Sequence, residues 1–155
     1  MADKLPDAVR ESPLFLTTRA ALALTARVRR ALKVKGIDDV NPAQLAILSV
    51  VETHEGITPT ALAREVMYEK STLTPLLEGL ERAELILRAR DPRDGRVQRL
   101  YPTKKGRRRR REAEAVLASA TAEIMGSLSK KVLRHHAEFC EAVLASEGPV
   151  AAERA

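Results

Sequence analysis

The chain has 155 residues, 45% hydrophobic and 31% charged, a balance that suits one globular domain and excludes a disordered polymer. No stretch approaches the roughly 18 uncharged apolar residues of a membrane span, and Met1 to Glu11 is too mixed in charge for a secretory leader, so a cytoplasmic protein is expected. The formal net charge is +6, yet residues 82–111 alone hold 13 of the 27 Lys and Arg, with only Glu84, Asp91 and Asp94 as acids. Such a segment in an otherwise mildly acidic chain calls for a polyanion, and the lack of a bulky apolar stripe beside it favours duplex DNA over a membrane surface.

In chain order, Ser12-Pro13 supplies an N-cap followed by proline at the first helical position, and Leu16, Leu24, Val28 and Leu32 recur at helical spacing until Gly36. Asn41-Pro42 repeats the start signal for a helix carrying Leu45, Leu48 and Val51, stopped at Gly56. Thr58-Pro59 repeats it again for a short helix with Leu62 and Val66. A further helix must begin near Lys70 or Ser71, because Pro75 is tolerated only close to a helix start; Leu73, Leu76, Leu77 and Leu80 form its apolar face. These last two helices and the turn between them outline a helix-turn-helix.

The period then changes from helical to alternating. Leu85 to Arg90 and Val97 to Tyr101 read as two strands around the turn residues Pro92, Asp94 and Gly95, a hairpin expected to pack on a helix through Leu85 and Leu87. Thr103 caps a long helix ending near Gly126, and a last helix runs from Ser129. The fold expected is mainly α with a two-stranded β wing: a winged helix-turn-helix lobe at 41–102, with helical dimerisation segments at 1–40 and 103–155 in one compact chain. The apolar faces of the terminal helices exceed what so small a lobe can cover, which favours a two-fold homodimer presenting two recognition helices to a palindromic operator.

The residues expected at DNA follow from groove chemistry. At the start of the recognition helix, Ser71, Thr72 and Thr74 offer hydroxyls and methyls to base edges, Lys70 a cation, and Pro75 lies beside them; Ser71 and Thr72 also suit helix capping. At the hairpin tip a narrow minor groove attracts an inserted arginine, and a carboxylate can hold that side chain extended, so Arg96 is paired with Asp94 and Arg93 with Asp91. Arg88, Arg90, Lys104 and Lys105 are weaker candidates for phosphates. The run Arg107 to Arg111 points in all directions and reads as an electrostatic footprint, with some members free to pair with acids elsewhere.

Other classes find little support. There is no G-x-S-x-G, phosphate-binding glycine loop or H-E-x-x-H, so no enzyme is expected, and no cofactor. Cys140 with His54, His135 and His136 gives no zinc pattern, so no metal is expected; Cys140 suits a small hydrophobe on the buried face of the last helix. A winged helix that binds RNA or a protein is the alternative, but four aromatic residues leave little to stack on single-stranded bases.

The ordered set Leu62-Ala63, Ser71-Thr72-Leu73-Thr74, Leu77, Leu80-Glu81-Arg82, Asp91-Pro92-Arg93-Asp94-Gly95-Arg96 and Thr103-Lys104-Lys105-Gly106 resembles the MarR (multiple antibiotic resistance regulator) family of bacterial winged-helix repressors. The resemblance covers about Asn41 to Gly106. It implies an obligate dimer joined by the terminal helices, Ser71 to Pro75 in the major groove, Arg96 in the minor groove, and a repressor released by a small aromatic or phenolic acid. The implied effector crevice lies between the first helix, the helix around Leu45 to Val51 and the start of the long helix, within reach of Arg19, Arg27 or His54. Ser71 to Leu77 looks most like the organic-hydroperoxide-sensing branch, but the first helix has no cysteine, so peroxide sensing is not carried over. Glu84 stands where many members have glycine, and Pro102 where leucine is common, which is expected to shorten the second strand.

Overall fold

The computed structural model describes residues 6–146. Its elements run α1 (Asp7–Arg10), α2 (Pro13–Val34), α3 (Pro42–Thr53), α4 (Pro59–Glu65), α5 (Lys70–Arg82), β1 (Ile86–Arg90), β2 (Gln98–Pro102), α6 (Lys104–Ser127) and α7 (Lys130–Ser146). The architecture is a winged helix flanked by longer helices, as expected. The short α1 carries no periodic signal and was not foreseen. The expected dimerisation segments 1–40 and 103–155 reach beyond the described residues at both ends. Among the described residues, no helix is long and apolar enough to cross a membrane.

The three cap-and-proline starts open helices at Pro13, Pro42 and Pro59, although Ser12, unlike Asn41 and Thr58, makes no side-chain capping bond. At Asn41 the side chain accepts from the Gln44 N–H while Gln44 Oε1 accepts from the Asn41 N–H, a reciprocal capping box. Thr58 caps α4 and Thr103 caps α6 through their hydroxyls. Three helices end in the same two-bond motif, closed by a residue of left-handed backbone. After α2 that residue is Gly36; after α4 and α5 it is Met67 at φ 54° and Glu84 at φ 58°. In the last case Leu85 N–H donates to the Leu80 carbonyl and Glu84 N–H to that of Glu81. Glu84 thus adopts the conformation glycine would take, with its side chain in solvent.

The core gathers one face of each lobe element. Ile47, Leu48 and Val51 of α3, Leu62 of α4, Leu77 and Leu80 of α5, and Leu85 and Leu100 of the wing are fully buried together with Leu32 of α2. Each such side chain contributes about 1.5–3 kcal/mol on burial. Ala113 of α6 closes this cluster from below.

The wing departs from expectation in phase. The strands pair antiparallel with Ile86 opposite Pro102 and Arg90 opposite Gln98. Ile86 and Leu100 face the core, whereas Leu87 is 46% exposed, so Leu85 packs as expected and Leu87 does not. Alternation fixes which residues share a face but not which face turns inward. Nor does Pro102 shorten the second strand: β2 ends on it, and it needs no amide donor there. A bridge between Ile57 and Leu100 adds the residues before α4 to the edge of the wing.

The terminal helices are under-packed. Only Val28 and Leu32 of α2 are buried, and no residue of the 17-residue α7 is. Leu14, Leu22, Val132, Phe139, Val143 and Leu144 stand exposed. Cys140 is therefore not on a buried face of this subunit; it is half-exposed, with Sγ 3.6 Å from His136 Nε2.

Candidate nucleic-acid interface

Helix α5 has an amphipathic build, with Leu73, Leu77 and Leu80 turned inward and Lys70, Ser71, Thr72, Thr74 and Pro75 exposed. Its N-cap is Glu69, which makes no side-chain capping bond, so Ser71 and Thr72 lie inside the first turn and neither caps the helix. Their hydroxyls have no hydrogen-bond partner among the described residues. Thr74 differs, since its Oγ1 donates to the Lys70 carbonyl at 2.8 Å and leaves its methyl and lone pairs outward. Pro75 falls at the sixth helical position; lacking an N–H, it leaves the Ser71 carbonyl without its usual donor.

The hairpin tip is organised by its two aspartates, but not as acid-and-arginine pairs. Asp91 Oδ1 accepts from the backbone N–H of Arg93 at 2.7 Å and of Asp94 at 3.2 Å. Asp94 Oδ1 accepts from the backbone N–H of Arg96 at 3.0 Å. Short polar side chains close onto amides two residues ahead more readily than onto the mobile end of an arginine. The guanidiniums of Arg93 and Arg96 therefore form no ion pair among the described residues and stand free in solvent. Asp91 is only 7% exposed; its second oxygen receives Nε–H of Arg99, a residue the sequence reading passed over. The Arg93 amide and then the Arg99 guanidinium hold the Asp91 carboxyl below the usual aspartate range.

The basic segment is less available than its sequence suggests. Arg88 donates to Glu81 at 2.8 Å and Lys105 to the Ala83 carbonyl at 2.7 Å, so two of the four weaker phosphate candidates are engaged in the fold. Of the arginine run, Arg107 pairs with Glu55, Arg109 with Asp39, and Arg110 with Glu52 and Glu114. Apart from Glu114, which is on α6 itself, the partners join α6 to α3 and to the segments just before and just after it. The Glu52 carboxyl is held below its ordinary range, mainly by the hydrogen bond from Arg110. The run is chiefly an internal clamp rather than a footprint. Arg82, Arg90, Arg93, Arg96, Lys104 and Arg111 have no acidic partner among the described residues, and three of these lie on the wing.

A cleft of about 380 Å³ opens between α2, the start of α3 and the start of α5. Thr25, Arg29, Tyr68, Thr72, Pro75 and Leu76 contribute to its walls. The start of α5, not that of the long helix α6 as expected for the effector crevice, walls this cleft; of the cations expected there, Arg27 is bound to Glu123 and the Ala120 carbonyl, and Arg19 stacks on Phe15 at 5.5 Å. His54 lines a separate hollow near Glu55 and Glu65. Arg29, two residues from Arg27 and on another side of the helix, is the cation that the fold places at the cleft. Among the described residues no His, Cys, Asp and Glu cluster could hold a metal.

Residues 40–97 match the model of the MarR family. No curated protein sequence matches the chain significantly. Among solved structures, the M. tuberculosis transcriptional regulator MosR in complex with DNA is 28% identical, with TM-score 0.70 over 89% of this chain and all of that one. Bordetella bronchiseptica BpsR, whose DNA binding is regulated by 6-hydroxynicotinic acid, is 17% identical with TM-score 0.80 over 93% of this chain and 99% of that one. CouR from Rhodococcus jostii RHA1 bound to p-coumaroyl-CoA is 23% identical with TM-score 0.73, covering 90% and 96%.

Proposed function

We propose that this chain, whose residues 40–97 match the MarR family, is a MarR-type, non-catalytic transcriptional regulator that binds a palindromic duplex operator as a homodimer in the cytoplasm. The observation that carries this reading is the division among polar groups: the fold pairs seven of the 13 cations in residues 82–111 with acids but leaves Arg90, Arg93 and Arg96 on the wing and Ser71 and Thr72 on α5 without partners among the described residues. Lys70, Ser71, Thr72 and Thr74 would meet base edges and phosphates in the major groove, with Pro75 against them. Arg96, backed by Arg93, would enter the minor groove, where a narrow A·T tract concentrates negative potential. Arg90 and Lys104 would face phosphates. Asp91 and Asp94 would act through the backbone of the tip.

The homodimer reading rests on the exposed apolar side chains of α2, α6 and α7, a larger greasy surface than a soluble monomer usually leaves uncovered. For regulation, we infer that a small aromatic or phenolic acid binds the cleft with its carboxylate at Arg29 and its ring against Tyr68, Pro75 and Leu76. Thr72 and Pro75 belong both to that cleft and to the surface assigned to DNA, so a ligand there would favour a state unable to bind the operator, which is repression relieved by an effector.

The test is a gel shift on intergenic DNA beside the gene, repeated with a panel of aromatic acids, using wild type, Arg96→Ala and Arg29→Gln. Arg96→Ala should weaken binding at unchanged fold, and Arg29→Gln should bind DNA normally but lose release by the acid. Undiminished binding by Arg96→Ala would remove the wing from the reading. Elution as a monomer at micromolar concentration would remove the two-half-site arrangement.

A further inference from the structure

Arg99 lies in β2 opposite Ala89, within the wing but away from its tip. Its Nε–H donates to Asp91 Oδ2, and its Nη1–H donates to the Gly56 carbonyl at 2.8 Å. Asp91 passes the connection on, because its other oxygen holds the amides of Arg93 and Asp94. Gly56 is well anchored: its N–H donates to the Leu100 carbonyl at 2.8 Å, the Leu100 N–H donates to Ile57, and Gly56 itself sits at φ +81° under the Tyr101 ring. A continuous run of hydrogen bonds thus joins the turn that precedes the helix-turn-helix to the backbone of the wing tip through two side chains, Arg99 and Asp91, and Arg99 is the one that reaches Gly56.

We propose that Arg99 is the positioning residue of the wing, the group that fixes where Arg93 and Arg96 stand relative to the recognition helix. The inference rests on the reading of the wing as a DNA contact. Arginine suits the place because its planar fork donates along two fixed directions at once, whereas a lysine ammonium is one compact charge on a flexible stem. The carboxylate it meets is almost fully withdrawn from water, so that bond is little weakened by competition from solvent. Without the link, the Asp91 carboxylate is no longer held at the Gly56 turn, and its grip on the Arg93 and Asp94 amides loosens.

The experiment uses the full chain and a duplex enriched by the wild-type protein from a random-sequence pool. Arg99→Gln should weaken binding of that duplex about tenfold in the wild-type background, and less than twofold when Arg93 and Arg96 are both alanine, because a misplaced wing matters only if it carries its arginines. In the free protein, exchange of the Arg93 and Asp94 amides should quicken at least tenfold, with α3 and α6 amides unchanged. Arg99→Lys should behave as Arg99→Gln does, and it carries the same test should Gln fail to fold. An equal loss in both backgrounds would show a general defect and overturn the proposal, as would unchanged amide exchange or full rescue by lysine. If the wild type enriches no duplex, or the double alanine variant binds as well as wild type, the function reading fails instead, and the exchange measurement still decides whether Arg99 holds the tip.

Discussion

Gly106→Ala sets helix propensity against packing on a single atom. In the first turns of a helix, alanine in place of glycine normally stabilises by about 1 kcal/mol. At Gly106, however, the added methyl would fall on the Leu85 backbone carbonyl, which has no rotamer with which to move aside. The start of α6 would have to withdraw from the α5–β1 junction. Three bonds cross there: Thr103 N–H to the Leu85 carbonyl at 3.0 Å, Thr103 Oγ1 to the Glu84 carbonyl at 2.7 Å and Lys105 Nζ to the Ala83 carbonyl at 2.7 Å. At about 1 kcal/mol each, their loss outweighs the propensity gain by about 2 kcal/mol. For a chain of this size that lowers the melting temperature by roughly 4–8 °C. The same helix supplies its own control, since a methyl at Gly126 meets nothing within 4 Å. Gly126→Ala should melt at or slightly above wild type. Thermal unfolding followed by circular dichroism, at matched protein concentration because any self-association makes melting depend on concentration, reads both. If Gly106→Ala melts as high as wild type, the close approach of α6 to Leu85 is wrong.

Glu84→Gly should act in the opposite direction. Relief of the left-handed strain, about 1–2 kcal/mol, exceeds the extra freedom given to the unfolded chain, about 0.4–1 kcal/mol, so denaturant midpoints should rise; a fall would mean that the exposed contact with Lys105 matters more than the backbone. Glu52 predicts an acid limb. Its carboxyl titrates lower in the fold than in the unfolded chain, so its contribution is full above the unfolded value near pH 4.5 and disappears as pH falls through the lower folded value. Glu52→Gln should flatten that limb in a urea series from pH 6 to pH 3, and an identical slope would deny the Arg110 pairing its role. Arg93→Ala should reduce the slope of log affinity against log salt by about one, whereas Arg110→Gln should leave the slope unchanged. Equal effects would mean that the arginine run touches DNA after all.

Much of the architecture was written locally. Asn41-Pro42 and Thr58-Pro59 each specify a helix start through capping groups only a few residues apart, Ser12-Pro13 does so through the proline alone, and all three starts are where they were expected. What escaped depends on partners distant in the chain. Nothing near Leu87 says that Ile86 is its buried neighbour, because that choice is made by α3 and Leu100. Arg110 looks like its four neighbours until Glu52, 58 residues away, is brought beside it. Asp91 and Arg93 are two apart, which suggested an ion pair; the nearer backbone amide takes the oxygen first. The motif Thr103-Lys104-Lys105-Gly106 was legible as a resemblance, whereas its physical reason, the carbonyl of Leu85 against a glycine without a side chain, emerges only once the two segments meet.

Helix α6 begins directly after its cap Thr103, two residues past the wing's last strand residue, and runs 24 residues without a break before the turn into α7. At 1.5 Å per residue it is a strut about 36 Å long. Its first turns are bolted to the α5–β1 junction and to α3, while its far third emerges among the uncovered apolar side chains. Such a strut works as a lever. A tilt of about 5° at one end moves the other by about 3 Å, close to the 3.4 Å rise of one DNA base pair. Small changes where two copies would meet are thereby converted into displacements on the scale at which a groove is found or missed.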